Sequence, residues 1–301
     1  MQVVRRASGV RVVEIHAKSV LNRVANMPFD WSINPYQGCA HQCVFCYARA
    51  THAYRELDGV DDWGAVIYAK VNAPAVVRAE LSRRGWRNDE VAIGTATDPY
   101  QSIEGRYRLT RGILEELARA RTPMHLITRS GLILRDLDVL TAYAARADIS
   151  VCVSIPTLDA ALARELEPTV APPAKRLETV RRLAAAGIRV GVGVAPVLPA
   201  LTDDAAQLAA VIRGAAAAGA AFVWHAVLNL GDVPRSAFFA YLTERQPRLL
   251  ARYGAMYATR YPPRSYARSV AQRFEDAKRG IALQPHEHIQ APPAPRELTL
   301  F

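Results

Sequence analysis

Cysteine is scarce in this chain. Only four occur in 301 residues, too few for a disulfide framework and in keeping with a reducing compartment. No apolar run approaches the roughly 20 residues of a membrane-spanning helix. The opening Met1-Gln-Val-Val-Arg-Arg-Ala-Ser-Gly9 also lacks the apolar core of a signal peptide. The expectation is therefore cytoplasmic. Internal repeats are absent, which excludes a solenoid. Acidic residues are in deficit, 28 against 38 Lys and Arg, for a net charge of +10. Apolar residues are not lacking: they make up half the chain, enough for one large domain or two small ones.

Three of the four cysteines crowd into eight residues, Cys39-Ala-His-Gln-Cys43-Val-Phe-Cys46. A zinc ribbon needs a second ligand pair downstream, and only Cys152 remains. A bacterial ferredoxin run needs two gaps of two residues and a following Cys-Pro, which is also missing. The C-x3-C-x2-C spacing allows three thiolates to hold three irons of a [4Fe-4S] cubane and leave the fourth open to a ligand. Three metal-free thiols in a loop are the plain alternative. His41 reads as a hydrogen-bonding loop residue, since Cys43 already supplies that ligand.

Strand-like runs at Trp31–Asn34, Val91–Thr95, Met124–Thr128, Ile149–Ile155, Arg189–Ala195 and Phe222–Leu228 alternate with helical ones. The helical runs are Ala75–Arg84, Thr110–Arg121, Leu137–Ala147, Leu158–Glu167, Ala174–Ala186 and Asp203–Ala218. Gly187 and Gly219 stand where left-handed residues end helices, and Asp136 and Thr202-Asp203-Asp204 where helices are capped. Near-continuous apolar strands in six βα units predict a parallel sheet covered by helices. Periodicity leaves a doubly wound sheet open. Polar residues placed just after each strand favour a partial (β/α)6 TIM-like barrel with its site at the strand C-termini. Two further helices, Ala237–Ala255 and Pro263–Arg279, would flank it. The expected division is an N-terminal extension (1–30), the barrel (31–235), C-terminal helices packed on it (236–280) and a Pro-rich tail (281–301).

The Cys loop, with Phe45 before its third cysteine, resembles the radical S-adenosylmethionine (SAM) superfamily. The likeness narrows with Ser32-Ile-Asn-Pro-Tyr-Gln-Gly-Cys39, Cys46-Tyr-Ala-Arg49 and Thr97-Asp98-Pro99-Tyr100-Gln101. These resemble the spore photoproduct lyase-like branch, as do Glu167-Pro168, Lys175-Arg176-Leu177 and Ala195-Pro196-Val197-Leu198-Pro199. The resemblance covers roughly residues 11 to 275. It implies a radical SAM barrel and an enzyme that reductively cleaves SAM to a 5′-deoxyadenosyl radical, which abstracts a hydrogen atom. It implies cluster ligation by Cys39, Cys43 and Cys46, and an electron donor such as flavodoxin or ferredoxin. Tyr47 would pack beside cluster or adenine, Thr97 would face SAM's amino group and Arg129 its carboxylate. Ser154 would face the ribose, and Ala195 would lie in the wall under the adenine. Glu167 and Arg176 read as a structural ion pair, with Arg176 reaching the cofactor as the alternative, and His225 as a lumen or core residue.

A spore photoproduct lyase returns a hydrogen atom from a cysteine that would fall near Thr95, and this chain has none there. Cys152 is the candidate donor, with a buried packing role as the alternative. Between Tyr241 and Gly280, nine basic residues face three acidic ones and are interleaved with tyrosines. That is the make-up of a nucleic-acid surface, or of solvated Arg-rich helices. The last five residues, Glu297-Leu-Thr-Leu-Phe301, resemble a sliding-clamp-binding peptide. The expected substrate is a nucleic acid, in DNA repair or modification. The alternatives are modification of a protein, peptide or metabolite, and a non-catalytic iron–sulfur protein.

Overall fold

The computed structural model describes residues 3–7, 9–25, 27 and 29–283. The Pro-rich tail from residue 284 onward, with its last five residues, lies outside them. Strands β1 (Val3–Ala7) and β2 (Val10–Ile15) form a hairpin; β3 (Leu21–Arg23), β4 (Trp31–Ile33) and β5 (Tyr36–Gln37) follow. After the Cys loop come a 3-10 helix, Tyr47–Arg55, then β6 (Val66–Lys70) and α1 (Ala73–Leu81). A regular alternation then begins with β7 (Val91–Ile93), the short α2 (Glu104–Tyr107) and α3 (Leu109–Ala120). It continues through β8 (Met124–Thr128), α4 (Leu137–Ala144), β9 (Ile149–Ser154), α5 (Ala160–Leu166) and α6 (Pro173–Ala185). It ends with β10 (Val190–Val197), α7 (Ala205–Ala217) and β11 (Phe222–Val227). Three helices close the described chain: α8 (Asp232–Arg245), α9 (Leu250–Met256) and α10 (Arg264–Lys278).

The main sheet runs β11-β10-β9-β8-β7-β4-β3. Its six strands from β4 and β7 to β11 are parallel, and β3 adds antiparallel to β4. Its two edges do not pair, so the barrel is partial. Along β9, Ile149, Val151 and Val153 belong to the core beneath the helices. Strand alternation therefore turns Ser150, Cys152 and Ser154 to the concave side. The same alternation puts Gly191 and Gly193 on the concave side of β10. A Cβ at Gly191 would fall 2.2 Å from the Phe222 ring, and one at Gly193 3.0 Å from Trp224. The two glycines thus make room for two aromatic rings inside the barrel.

All six expected strands and their helices are present, and Gly187 and Gly219 have positive φ. Three local expectations differ. A second sheet, β1-β2-β6-β5, packs Val12, Tyr36 and Ile67 into its own core with Ile103 and Leu109; its short strands carry no long apolar run. The helix expected over Ala237–Ala255 breaks at Gln246, because Pro247 offers no amide hydrogen to continue it. Asp136 stands at the start of α4 without capping it. Its carboxylate is taken instead by Tyr100, Arg111 and Arg135. No helix among the described residues is long and apolar enough to cross a membrane.

Candidate cofactor site

The Cys loop follows β5, just beyond the C-terminal end of β4, and it is tied down from several sides. Gly38 carries a φ of +84°, and a Cβ there would meet the Val66 carbonyl oxygen at 2.6 Å. Its own carbonyl accepts hydrogen bonds from Thr97 Oγ1 (2.6 Å) and Gln101 Nε2 (3.2 Å). Gln101 Oε1 in turn accepts from the Ala40 amide (2.8 Å). Thr169 Oγ1 donates to Ala40 O (2.7 Å), and the Val44 amide donates to Leu166 O (3.0 Å). The buried Arg49 guanidinium donates to Cys43 O (3.2 and 3.3 Å) and Gly59 O (3.1 Å). The loop is thus held by the β7 turn, the end of α5 and the 3-10 helix.

Cys39 and Cys43 are buried and Cys46 is partly exposed. The three lie within electrostatic reach of one another. Burial, reinforced by Asp98, pushes the Cys39 thiol up to about 12. Burial also raises Cys43, against the opposing pull of Arg129, and it raises Cys46. Iron must therefore displace their protons, since the thiolate is the ligand. Nowhere among the described residues do three His, Cys, Asp or Glu side chains converge as single-ion ligands. The donor set here is all sulfur, the chemistry that iron–sulfur clusters take.

Above the loop, Asp98 gathers four groups. It accepts from Thr128 Oγ1 (2.7 Å), the Arg129 amide (2.6 Å) and the Tyr100 amide (2.8 Å), and it faces His41 Nε2 at 3.2 Å. Burial opposes its charge, but His41 and these hydrogen bonds hold its carboxyl below the usual range. Arg129, at the end of β8, lies with its guanidinium 5.6 Å from the Phe45 ring centroid and donates from Nη2 to Ala195 O (3.1 Å). Burial opposes the Arg129 charge as well, yet Glu167, Cys43 and Cys46 keep its pKa above the ordinary value. Glu167 and Arg176 form the ion pair expected between them, at 2.5 Å and 1% exposure each. Breaking such a pair from one side costs about 3–5 kcal/mol.

A family model described as the radical SAM superfamily matches residues 33–211. The chain belongs to that superfamily. Its cofactors are therefore a [4Fe-4S] cluster and SAM, and as a radical SAM enzyme it needs an electron donor. It is 38% identical to an uncharacterised protein of Mycobacterium tuberculosis over 305 residues, 97% of this chain and 89% of that one. An uncharacterised protein of Methanocaldococcus jannaschii is 26% identical over 196 residues, 65% of this chain and 71% of the other. The fold is similar to spore photoproduct lyase with bound AdoMet and dinucleoside spore photoproduct. That match has a TM-score of 0.68 at 14% identity, covering 90% of this chain and 79% of that one.

Within this radical SAM enzyme the expected cofactor residues lie along one rim. The Tyr47 hydroxyl donates to Thr95 O from a side chain that leaves the residue 56% exposed. Thr97, by contrast, spends its hydroxyl inward: it donates to Gly38 O and accepts from Gln101 Nε2 (2.9 Å). Ser154 is buried at the end of β9, its carbonyl accepting from Arg176 Nη1 (2.9 Å). Ala195, which precedes a cis proline, accepts from Arg129. Cys152 lies deeper on the concave side and is fully buried, with Trp224 Nε1 donating to its sulfur at 3.1 Å. Burial lifts that thiol to about 12. His225 is turned the other way, its ring 4.4 Å from that of Phe274 on α10. Residue order alone did not reveal the Asp98 junction or the contact between Glu167 and Arg129. The signal available was the Thr-Asp-Pro-Tyr-Gln run itself, whose Asp and Gln are both buried and both bonded to the Cys-loop region.

Proposed function

We propose that residues 31–235 form the catalytic barrel, that Cys39, Cys43 and Cys46 hold the cluster, and that the substrate is a nucleic acid. Bound together, cluster and SAM supply a 5′-deoxyadenosyl radical for hydrogen abstraction, and the protein supplies binding, orientation and exclusion of water. In this reading Arg129 pairs SAM's carboxylate through its planar fork. Tyr47, Ser154 and Ala195 border the nucleoside part. Thr97 acts through the Gly38 carbonyl, holding the Cys loop.

The observation that carries the substrate reading is a set of arginines without carboxylate partners. Arg248, Arg252, Arg264 and Arg268 are exposed, and none pairs with a carboxylate among the described residues. Arg245, Arg273, Lys278 and Arg279 do. The loop between α9 and α10 joins them to the barrel rim. The Leu230 amide donates to Arg260 O (2.8 Å), and Asn229 Nδ2 donates to the Tyr261 hydroxyl (3.4 Å). Across the rim, Tyr47 and Tyr54 on the 3-10 helix are 56% and 73% exposed. Exposed cations suit phosphates, and exposed rings suit unstacked bases. Spore photoproduct lyase, whose fold this chain shares, holds a dinucleoside spore photoproduct in its complex, which agrees with this chemistry.

Salt dependence is the test. If the four free arginines each neutralise a phosphate of duplex DNA, log K against log salt should slope by about −3 to −4, and Arg264→Ala with Arg268→Ala should flatten it by about 2. A flat response would move the substrate to a protein, peptide or metabolite.

Cys152 is best read as packing beneath Trp224. Cys152→Ala is expected to leave 5′-deoxyadenosine formation within about twofold of wild type. If deoxyadenosine still formed while substrate repair stopped, the thiol would be the hydrogen donor.

A further inference from the structure

Glu167 follows α5 and stands between two arginines. Its Oε1 lies 2.8 Å from Arg129 Nε, and its Oε2 accepts from Arg176 Nη2 at 2.5 Å. Arg176 is committed elsewhere as well, donating from Nε to Ala171 O (2.8 Å) and from Nη1 to Ser154 O (2.9 Å). Arg129 has further holds of its own: Nη2 on Ala195 O, and its backbone amide on Asp98. A planar guanidinium hydrogen-bonded through one Nη, with a carboxylate oxygen 2.8 Å from its Nε, has little rotational freedom left. Its Nη1 edge pairs with nothing among the described residues.

We propose that Glu167 is a positioning residue for SAM. It sets the Arg129 guanidinium so that the free Nη1 edge meets the cofactor's carboxylate, while Arg176 holds the other oxygen of the Glu167 carboxylate. The inference rests on the assignment of Arg129 to that carboxylate.

The test is equilibrium dialysis of labelled SAM against anaerobic, iron-loaded protein, with iron content measured alongside. Glu167→Gln alone would strand Arg176, so it is paired with Arg176→Met. That double variant is expected to bind SAM on the order of tenfold more weakly at unchanged iron content, the size of a coupling between contacting charged groups. Arg129→Met should lose a similar factor, and the triple variant should bind no more weakly than Arg129→Met alone. Full affinity in Arg129→Met would sink the Arg129 assignment and this inference with it. A weak Arg129→Met beside a double variant within about twofold of wild type would overturn the role of Glu167 alone, as would additive losses in the triple variant. If the double variant takes up no iron, Glu167→Asp replaces it, keeping the charge and shortening the reach. It should load iron fully and bind SAM measurably more weakly; unchanged affinity would refute the proposal.

Discussion

Replacing any one of Cys39, Cys43 or Cys46 with alanine is expected to lower 5′-deoxyadenosine formation by at least about 10³-fold, the scale on which a group essential to the chemistry is lost. The measurement is anaerobic incubation with dithionite and SAM, with iron counted in the same samples. The three thiols share one loop, clamped by Thr97, Gln101, Thr169 and Arg49. Nearby His41 cannot substitute, because its Nε2 already faces Asp98. Cys152 cannot either, lying deeper in the barrel under Trp224. Wild-type turnover in any single variant would remove that cysteine from the cluster.

Gly38→Ala should be nearly as damaging without touching a ligand. A residue with a side chain at a φ of +84° costs about 1–2 kcal/mol. Its Cβ would also stand 2.6 Å from the Val66 carbonyl oxygen and 3.0 Å from His52 Cε1, in a place where neither neighbour is free to move: His52 is fully buried and Val66 opens β6. Overpacking of that kind adds typically about 1–3 kcal/mol. Together they predict a loss of roughly 2–5 kcal/mol in thermal or denaturant unfolding, with lower iron uptake, because Gly38 O anchors both Thr97 and Gln101. Gly105→Ala, where a Cβ meets nothing within 4 Å, is the control and should be close to neutral. Equal stability of the two variants would contradict the argument.

The barrel was legible because its strands are buried on both faces and read as short apolar runs, such as Ile149–Ser154 and Val190–Val197. Glycines after α6 and α7 marked the helix ends. The second sheet was not legible. Its members are two to six residues long and come from segments as far apart as β1 and β6, so no local window holds its pattern. The tyrosines around Tyr253 and Tyr257 read as half of a basic, aromatic surface. In the fold both are fully buried, Tyr253 against Phe238 and Tyr257 against Tyr253, and the arginines that flank them in sequence, Arg248, Arg252, Arg264 and Arg268, carry the exposed charge. Periodicity reports which residues prefer burial; it does not report what they are buried against.

Three thiols spaced by three and two residues, followed by alternating strands and helices, were enough to identify the chemistry and the barrel, because both depend on separations of only a few residues along the chain. The setting of the site depends on contacts between residues far apart in sequence. Asp98 meets His41 and Arg129, and Glu167 meets Arg129 across 38 positions. Thr97 turns its hydroxyl to Gly38 rather than outward. Such choices are made by the packing of β7, β8 and the end of α5 around one loop, where a buried polar atom gains stability by finding a partner. Which atom it finds is decided only once the tertiary structure has brought the candidates together.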